Sequence, residues 1–143
     1  MTFEEELARS GKVVYTNVGV SMMPLLREGR DIMVIRKADI SSLRKYDAVL
    51  FKRPNTRGRG EYVLHRILRI CPDGRYWIVG DNCTSGEMVL PENILGVLEA
   101  VQRGSKIVAM DSFGMKLYVF FWCAPYPLRF FLLKIRNVMK RLF

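Results

Sequence analysis

From Lys12 to Met110 the chain is cut into short β-prone runs by glycine, proline and aspartate, and no long helical pattern separates them. That punctuation restricts the fold more than any other feature. Residues 12–20 (KVVYTNVGV), Asp31–Arg36, Asp47–Arg53, Glu61–Cys71 and Tyr76–Val79 read as strands through their β-branched and aromatic content. Pro72-Asp73-Gly74-Arg75 is a short polar turn between two of them, a hairpin signal. The Pro-, Gly- and Arg-rich stretch 54–60 is a loop, and Gly80-Asp81-Asn82 opens another that runs to about Pro91. Residues 95–109 are the last strand material, with Gly104 as a turn or bulge. The expectation is a mainly β domain over 1–112, antiparallel and sandwich- or barrel-like. A short helix at 3–10 precedes it, with Thr2 and Glu5 as a capping box and Gly11 as its stop.

Residues 113–143 follow different rules. All 14 acidic residues lie before this segment, which carries Lys116, Arg129, Lys134, Arg136, Lys140 and Arg141. Much of the net charge of +9 therefore sits in the tail, together with more than half of the aromatic residues. From Leu128 onward, Leu128, Phe131, Leu132, Ile135, Val138, Met139 and Leu142 recur at helical spacing, and the basic residues fall off that stripe. A basic amphipathic helix with an aromatic approach is the pattern of an interfacial anchor on an anionic membrane surface. The bland alternative is a helix packed on its own domain or on a partner. A bilayer span is disfavoured: Leu117–Leu133 is too short and contains Arg129, whose central placement costs roughly 2.5–3.5 kcal/mol on insertion scales. The acidic start, MTFEEELARSG, has neither a signal-peptide h-region nor an N-terminal transmembrane helix. The expected location is the cytoplasmic face of a membrane. The cysteines (Cys71, Cys83, Cys123) are odd in number and widely spaced, and there is a single histidine, so no metal or other cofactor is expected.

The chemistry centres on Gly19-Val20-Ser21-Met22-Met23-Pro24-Leu25-Leu26, where a serine stands between a β-rich run and a proline-marked turn. A serine hydroxyl needs a base to become a nucleophile, and the one histidine, His65, is the candidate. Alone, His65 reads as a half-buried histidine sharing a strand face with Val63 and Ile67. Ser21 alone is a turn serine, and Asp81 alone a turn aspartate. Taken in order as nucleophile, base and acid, they form a workable constellation. Histidine suits the task with its ordinary pKa near 6.5, whereas a lysine base would have to be brought down from about 10.4 at a cost of some 4 kcal/mol.

These segments resemble the boxes of the signal peptidase I / LexA-like serine peptidases. GVSMMPLL is similar to the family's Ser-Met-x-Pro nucleophile box. YDAVLF resembles its Gly-Asp-x-Val-x-Phe strand, with Tyr46 where glycine is usual. VLHRIL resembles the base box in its histidine form, that of the endoplasmic-reticulum and archaeal signal peptidases, and VGDNC resembles the Gly-Asp-Asn box. A second acid six residues after the first corresponds to Glu87. Arg30 departs from the pattern, intruding where the family has Gly-Asp directly. The resemblance spans about residues 12–110. It implies a coiled β-sheet domain and a metal-independent serine endopeptidase cleaving a precursor or leader peptide. Ser21, His65, Asp81 and Glu87 would be its catalytic residues, and Met22, Met23 and Leu25 the apolar floor for substrate. Two other readings compete. One is a catalytically degenerate, membrane-tethered binding module. The other is a nucleic-acid binder, suggested by Lys52, Arg53, Arg57 and Arg59 around one loop; with no accompanying motif, no nucleic-acid partner is expected.

Overall fold

A computed structural model describes residues 2–16, 19–54 and 60–143. Helix α1 (Phe3–Ser10) starts on the expected capping box, with Thr2 and Glu5 bonding reciprocally, and ends at Gly11, whose φ is 78°. Eight strands follow: β1 (Lys12–Thr16), β2 (Asp31–Lys37), β3 (Ala48–Pro54), β4 (Gly60–Ile70), β5 (Tyr76–Val79), β6 (Glu87–Val89), β7 (Ile94–Arg103) and β8 (Lys106–Ala109). Short 3₁₀ turns sit at Ile40–Ser42 and Pro91–Asn93. The tail forms α2 (Phe113–Tyr118), a π-helical stretch over Val119–Cys123, and α3 (Tyr126–Leu142).

The expected strands are present with shifts of a residue or two; β1 is described over Lys12–Thr16, and Gly19 and Val20 are not in a strand. Asn17, Val18 and residues 55–59 of the basic loop, including Arg57 and Arg59, lie outside the described residues. The last strand material divides at Gly104 into the hairpin β7–β8. β6 was not foreseen within the 80–91 loop.

The expectation of a barrel-like form is wrong. All pairs are antiparallel, in the order β1-β2-β7-β3-β4-β5-β6 with β8 beside β7. The path begins at β1 and ends at β6, and these two do not pair, so the sheet is open and the fold mixes this sheet with substantial helix. β4 explains part of this. It pairs with β3 from Gly60 to Arg66, but β5 takes up only Arg66–Ile70 on its other side. The Gly60–His65 half therefore has no strand on that edge among the described residues.

Register shifts in the β2–β7, β3–β7 and β4–β5 pairs bend the sheet. Apolar residues are buried on both its faces, as the run Ala48–Phe51 shows. Ala48 and Leu50 join Met22, Leu25, Leu26, Met33, Ile35 and Met115 in one core. Val49 and Phe51 join Ile67, Ile78, Val89 and Val97 in a second. β3 is thus the wall between two cores, and alternation along it feeds both.

Tyr46, where the resemblance predicts glycine, has φ 76°. A left-handed backbone at a bulky residue is strained by about 1–3 kcal/mol. Neighbouring bonds hold it in place: Tyr46 N–H donates to the Ile67 carbonyl (2.7 Å), and Arg66 Nη1 donates to the Tyr46 carbonyl (2.8 Å).

Candidate active site

Ser21 stands in a turn between β1 and β2. That turn is stapled at its far end by Asp31, a buried carboxylate. Arg30 Nη2 (2.8 Å), Arg103 Nε (2.9 Å) and Arg27 N–H (2.8 Å) all donate to Asp31. Burial pushes the Asp31 pKa up, but these donors outweigh it and hold it below the ordinary value. Arg30 and Arg103 also donate to the Leu25 carbonyl. The intruding Arg30 is therefore a brace for the nucleophile turn.

Ser21 and His65 line one cleft of about 380 Å³, together with Tyr15, Met22, Met33 and Tyr62. His65 is half-buried on β4 opposite Val49, with its ring edge-on to Phe51 at 6.2 Å. Gly80 is wedged between the pair. A β-carbon there would lie 2.7 Å from the Ser21 carbonyl oxygen and 3.0 Å from His65 Nε2, so those two atoms are within about 6 Å of each other. The clash with a backbone oxygen is not relieved by a side-chain rotation, which is why this position takes no side chain. No hydrogen bond joins the Ser21 hydroxyl to His65 in this conformation, and none among the described residues consumes the Ser21 main-chain N–H. Long catalytic hydrogen bonds are common before substrate binds.

Asp81 is brought to the site but turned away from the imidazole. It is fully buried, and its two oxygens accept from Arg66 Nε (2.8 Å) and Nη2 (2.9 Å), while Tyr118 Oη donates to Oδ2 (2.6 Å). Successive residues of a strand point to opposite faces, so a carboxylate clamped by Arg66 sits across β4 from His65. Burial works against the Arg66 charge, yet Asp81 outweighs it and keeps the guanidinium pKa above its usual value. Burial and the Asp81 charge likewise raise the Tyr118 pKa.

Glu87, on β6, is paired with Arg53 through both carboxylate oxygens, with Arg53 Nε donating at 3.0 Å. It is the carboxylate with the largest influence on His65. Burial lowers the imidazole pKa below 6.5. The Glu87 charge works to raise it, Arg53 to lower it, and Asp81 and Glu61 add smaller upward pulls. The net result favours the neutral imidazole, the form that can accept a proton.

Of the apolar residues expected at the floor, Met22 lines the cleft and is buried. Leu25 is buried in the core without lining it, and Met23 is half-buried. Phe3 of α1 closes one end, edge-on to Tyr15 (5.1 Å) and Tyr62 (4.8 Å). Sequence reasoning missed Gly80, Arg66, Arg53 and the tail residues that reach Asp81. Only Gly80 carried a signal, its place beside Asp81 and Asn82. Among the described residues no cluster of His, Cys, Asp or Glu is arranged to hold a metal ion, and the three cysteines are free.

In comparisons with known proteins, no family model, curated protein or solved structure matches this chain.

Proposed function

We propose that this protein is a serine peptidase that cuts extended peptide chains with Ser21 as nucleophile and His65 as base. The observation that carries the reading is the shared cleft, in which Ser21 and His65 meet across Gly80. The cleft is flanked by β1, an end strand of the sheet, and by the half of β4 that has no strand on one edge among the described residues. An extended peptide adds naturally to such edges through main-chain hydrogen bonds. His65 Nε2 takes the Ser21 proton as Oγ bonds to the scissile carbonyl carbon. The developing oxyanion is met by the Ser21 main-chain N–H. His65 then returns the proton to the leaving amine as the C–N bond breaks, and activates the water that releases the acyl group. Glu87 supports the imidazolium through its charge. Asp81 adds a weaker pull and, held by Arg66, fixes the loop behind the nucleophile. The substrate class is a precursor or leader peptide.

The tail is proposed to rest on an anionic lipid surface. Leu128, Phe131, Leu132, Ile135, Val138, Met139 and Leu142 are all exposed on α3, as are Phe120 and Phe121 ahead of it. The segment carries cations and no acid. Among the described residues no helix is long and apolar enough to cross a membrane.

An active-site-directed fluorophosphonate tests the catalytic reading. Ser21 becomes acylated in the wild-type protein, and Ser21→Ala and His65→Ala abolish both labelling and peptide hydrolysis with the fold intact. A competing reading, a peptide-binding module without catalysis, is favoured by the commitment of Asp81 to Arg66 and Tyr118. An unlabelled wild-type Ser21 would decide for it.

A further inference from the structure

The C-terminal segment makes direct polar contact with the loop that holds the nucleophile. Tyr118 Oη donates to Asp81 Oδ2 (2.6 Å), and Trp122 Nε1 donates to the Asp81 carbonyl (2.9 Å). Arg136 Nη1, nearly three turns into α3, donates to Asn82 Oδ1 (2.9 Å). Asn82 in turn grips the nucleophile turn twice. Its main-chain N–H donates to the Ser21 carbonyl (2.9 Å), and its Nδ2 donates to the Val20 carbonyl (2.9 Å). The two ends of the Asn82 amide are thus assigned without ambiguity. The oxygen faces the guanidinium and the nitrogen faces a carbonyl, and the flipped amide would oppose donor to donor and acceptor to acceptor.

We infer that Tyr118, Trp122 and Arg136 are positioning residues for Ser21, acting through Asp81 and Asn82. The inference rests on the peptidase reading for its catalytic meaning. Two further features support it. The π-helical stretch at Val119–Cys123 is an energetically uncommon geometry, and it is the stretch that carries Trp122 and Cys123 to Asp81. Asp81 is also the point where the two sides meet. Arg66 ties it to β4 beside His65, and Tyr118 and Trp122 tie it to the tail. The tail is therefore part of the scaffold that sets the spacing of Ser21 and His65. The contacts are made at an amide, a carbonyl and a carboxylate rather than at the reacting atoms, so their loss disturbs placement and leaves the chemistry's protonation states alone.

The variants that test this are Arg136→Ala, Arg136→Lys and Trp122→Phe, the last keeping an aromatic ring but removing the donor. Three quantities are read in the full chain: fluorophosphonate acylation of Ser21, kcat and KM on a peptide substrate, and amide hydrogen exchange over residues 20–23. Arg136→Ala and Trp122→Phe are expected to slow acylation and kcat by about fivefold to tenfold, the weight of one hydrogen bond, with KM unchanged and faster exchange over 20–23. Arg136→Lys restores most of the rate, because a cationic donor is returned. Wild-type acylation and wild-type exchange in both Arg136→Ala and Trp122→Phe would overturn the inference. Exchange is measured whether or not the protein turns over. Absence of acylation in the wild type therefore counts against the peptidase reading alone, and the exchange result still decides whether the tail residues position Ser21.

Discussion

Burial strips water from the His65 imidazole and holds its pKa below the ordinary histidine value, which suits the base role proposed for it. The acid limb of kcat/KM is accordingly expected to have its midpoint below pH 6.5. Glu87 pulls the imidazole pKa upward, so Glu87→Gln moves that midpoint further to acid, and Arg53→Gln moves it the other way. The same group contributes to stability with a definite sign. Its folded pKa is depressed, so the contribution is complete above the unfolded value near 6.5 and is lost as pH falls through the lowered folded value. A pH–rate profile of wild type and Glu87→Gln checks the order; a midpoint that rises in Glu87→Gln would show that this carboxylate does not act on His65. At this scale the sequence singled out side chains by type and order but not their partners. Ser21, His65 and Asp81 could be picked out by type and order; Ser21 and His65 line one cleft, whereas the Asp81 carboxylate is held by Arg66 and Tyr118. Whether Asp81 engages residue 65 or residue 66 could not be read, because the two are adjacent on one strand, and Tyr118, which bonds the same carboxylate, lies 37 positions away in the chain. Gly80 was visible only as part of a turn, since a need for empty space leaves no mark of its own in a single sequence.

At the scale of elements, α3 shows how far periodicity reaches. The spacing of its apolar residues correctly marked one face, and every residue of that stripe is exposed. The opposite face is the one that packs, and it uses side chains a hydropathy pattern discounts. Tyr126 and Phe130 pack edge-on against Trp77, Leu133 is buried, and Arg136 reaches Asn82. Arg129 is the extreme case. It is buried, lies 6.0 Å from the Trp122 ring and 5.3 Å from that of Phe130, and its Nε and Nη2 have no hydrogen-bond partner among the described residues. An incompletely paired buried charge is costly, and an apolar residue of similar length avoids that cost. Arg129→Met is therefore expected to be neutral or to raise the midpoint of denaturant unfolding, whereas Arg129→Ala lowers it by leaving a cavity. Equal loss in both variants would show that the charge itself holds the helix, through Trp122 and Phe130. β6 was missed for a plainer reason: three residues within a polar loop are too few for alternation to register.

For the whole molecule, local signals specified antiparallel pairing but not closure. Strand composition marks β1 but not β6; whether the end strands meet depends on how far β4 outruns β5, a long-range property of register. The open edge that results is where the cleft lies, and the helical segment that covers the Asp81 side presents its apolar stripe outward. Two terms favour lipid there. Each stripe side chain fully buried is worth about 1.5–3 kcal/mol, and each basic residue near an anionic surface about 1 kcal/mol. Several of the former outweigh the latter, so binding should depend on the stripe first and on charge second. Co-sedimentation with vesicles of phosphatidylglycerol and of phosphatidylcholine tests this ordering. The protein is expected to bind the anionic vesicles, to bind them less at high salt without full release, and to bind neutral vesicles weakly. Leu132→Glu or Ile135→Glu should reduce binding more than Lys134→Gln, since neither stripe residue is among the buried core. Absence of binding to either vesicle, together with a concentration-dependent rise in mass that Ile135→Glu abolishes, would assign the stripe to a second copy of the chain instead. The like charge of the tail argues against that outcome, because two such helices face to face bring their cations together without an acid in either segment to offset them.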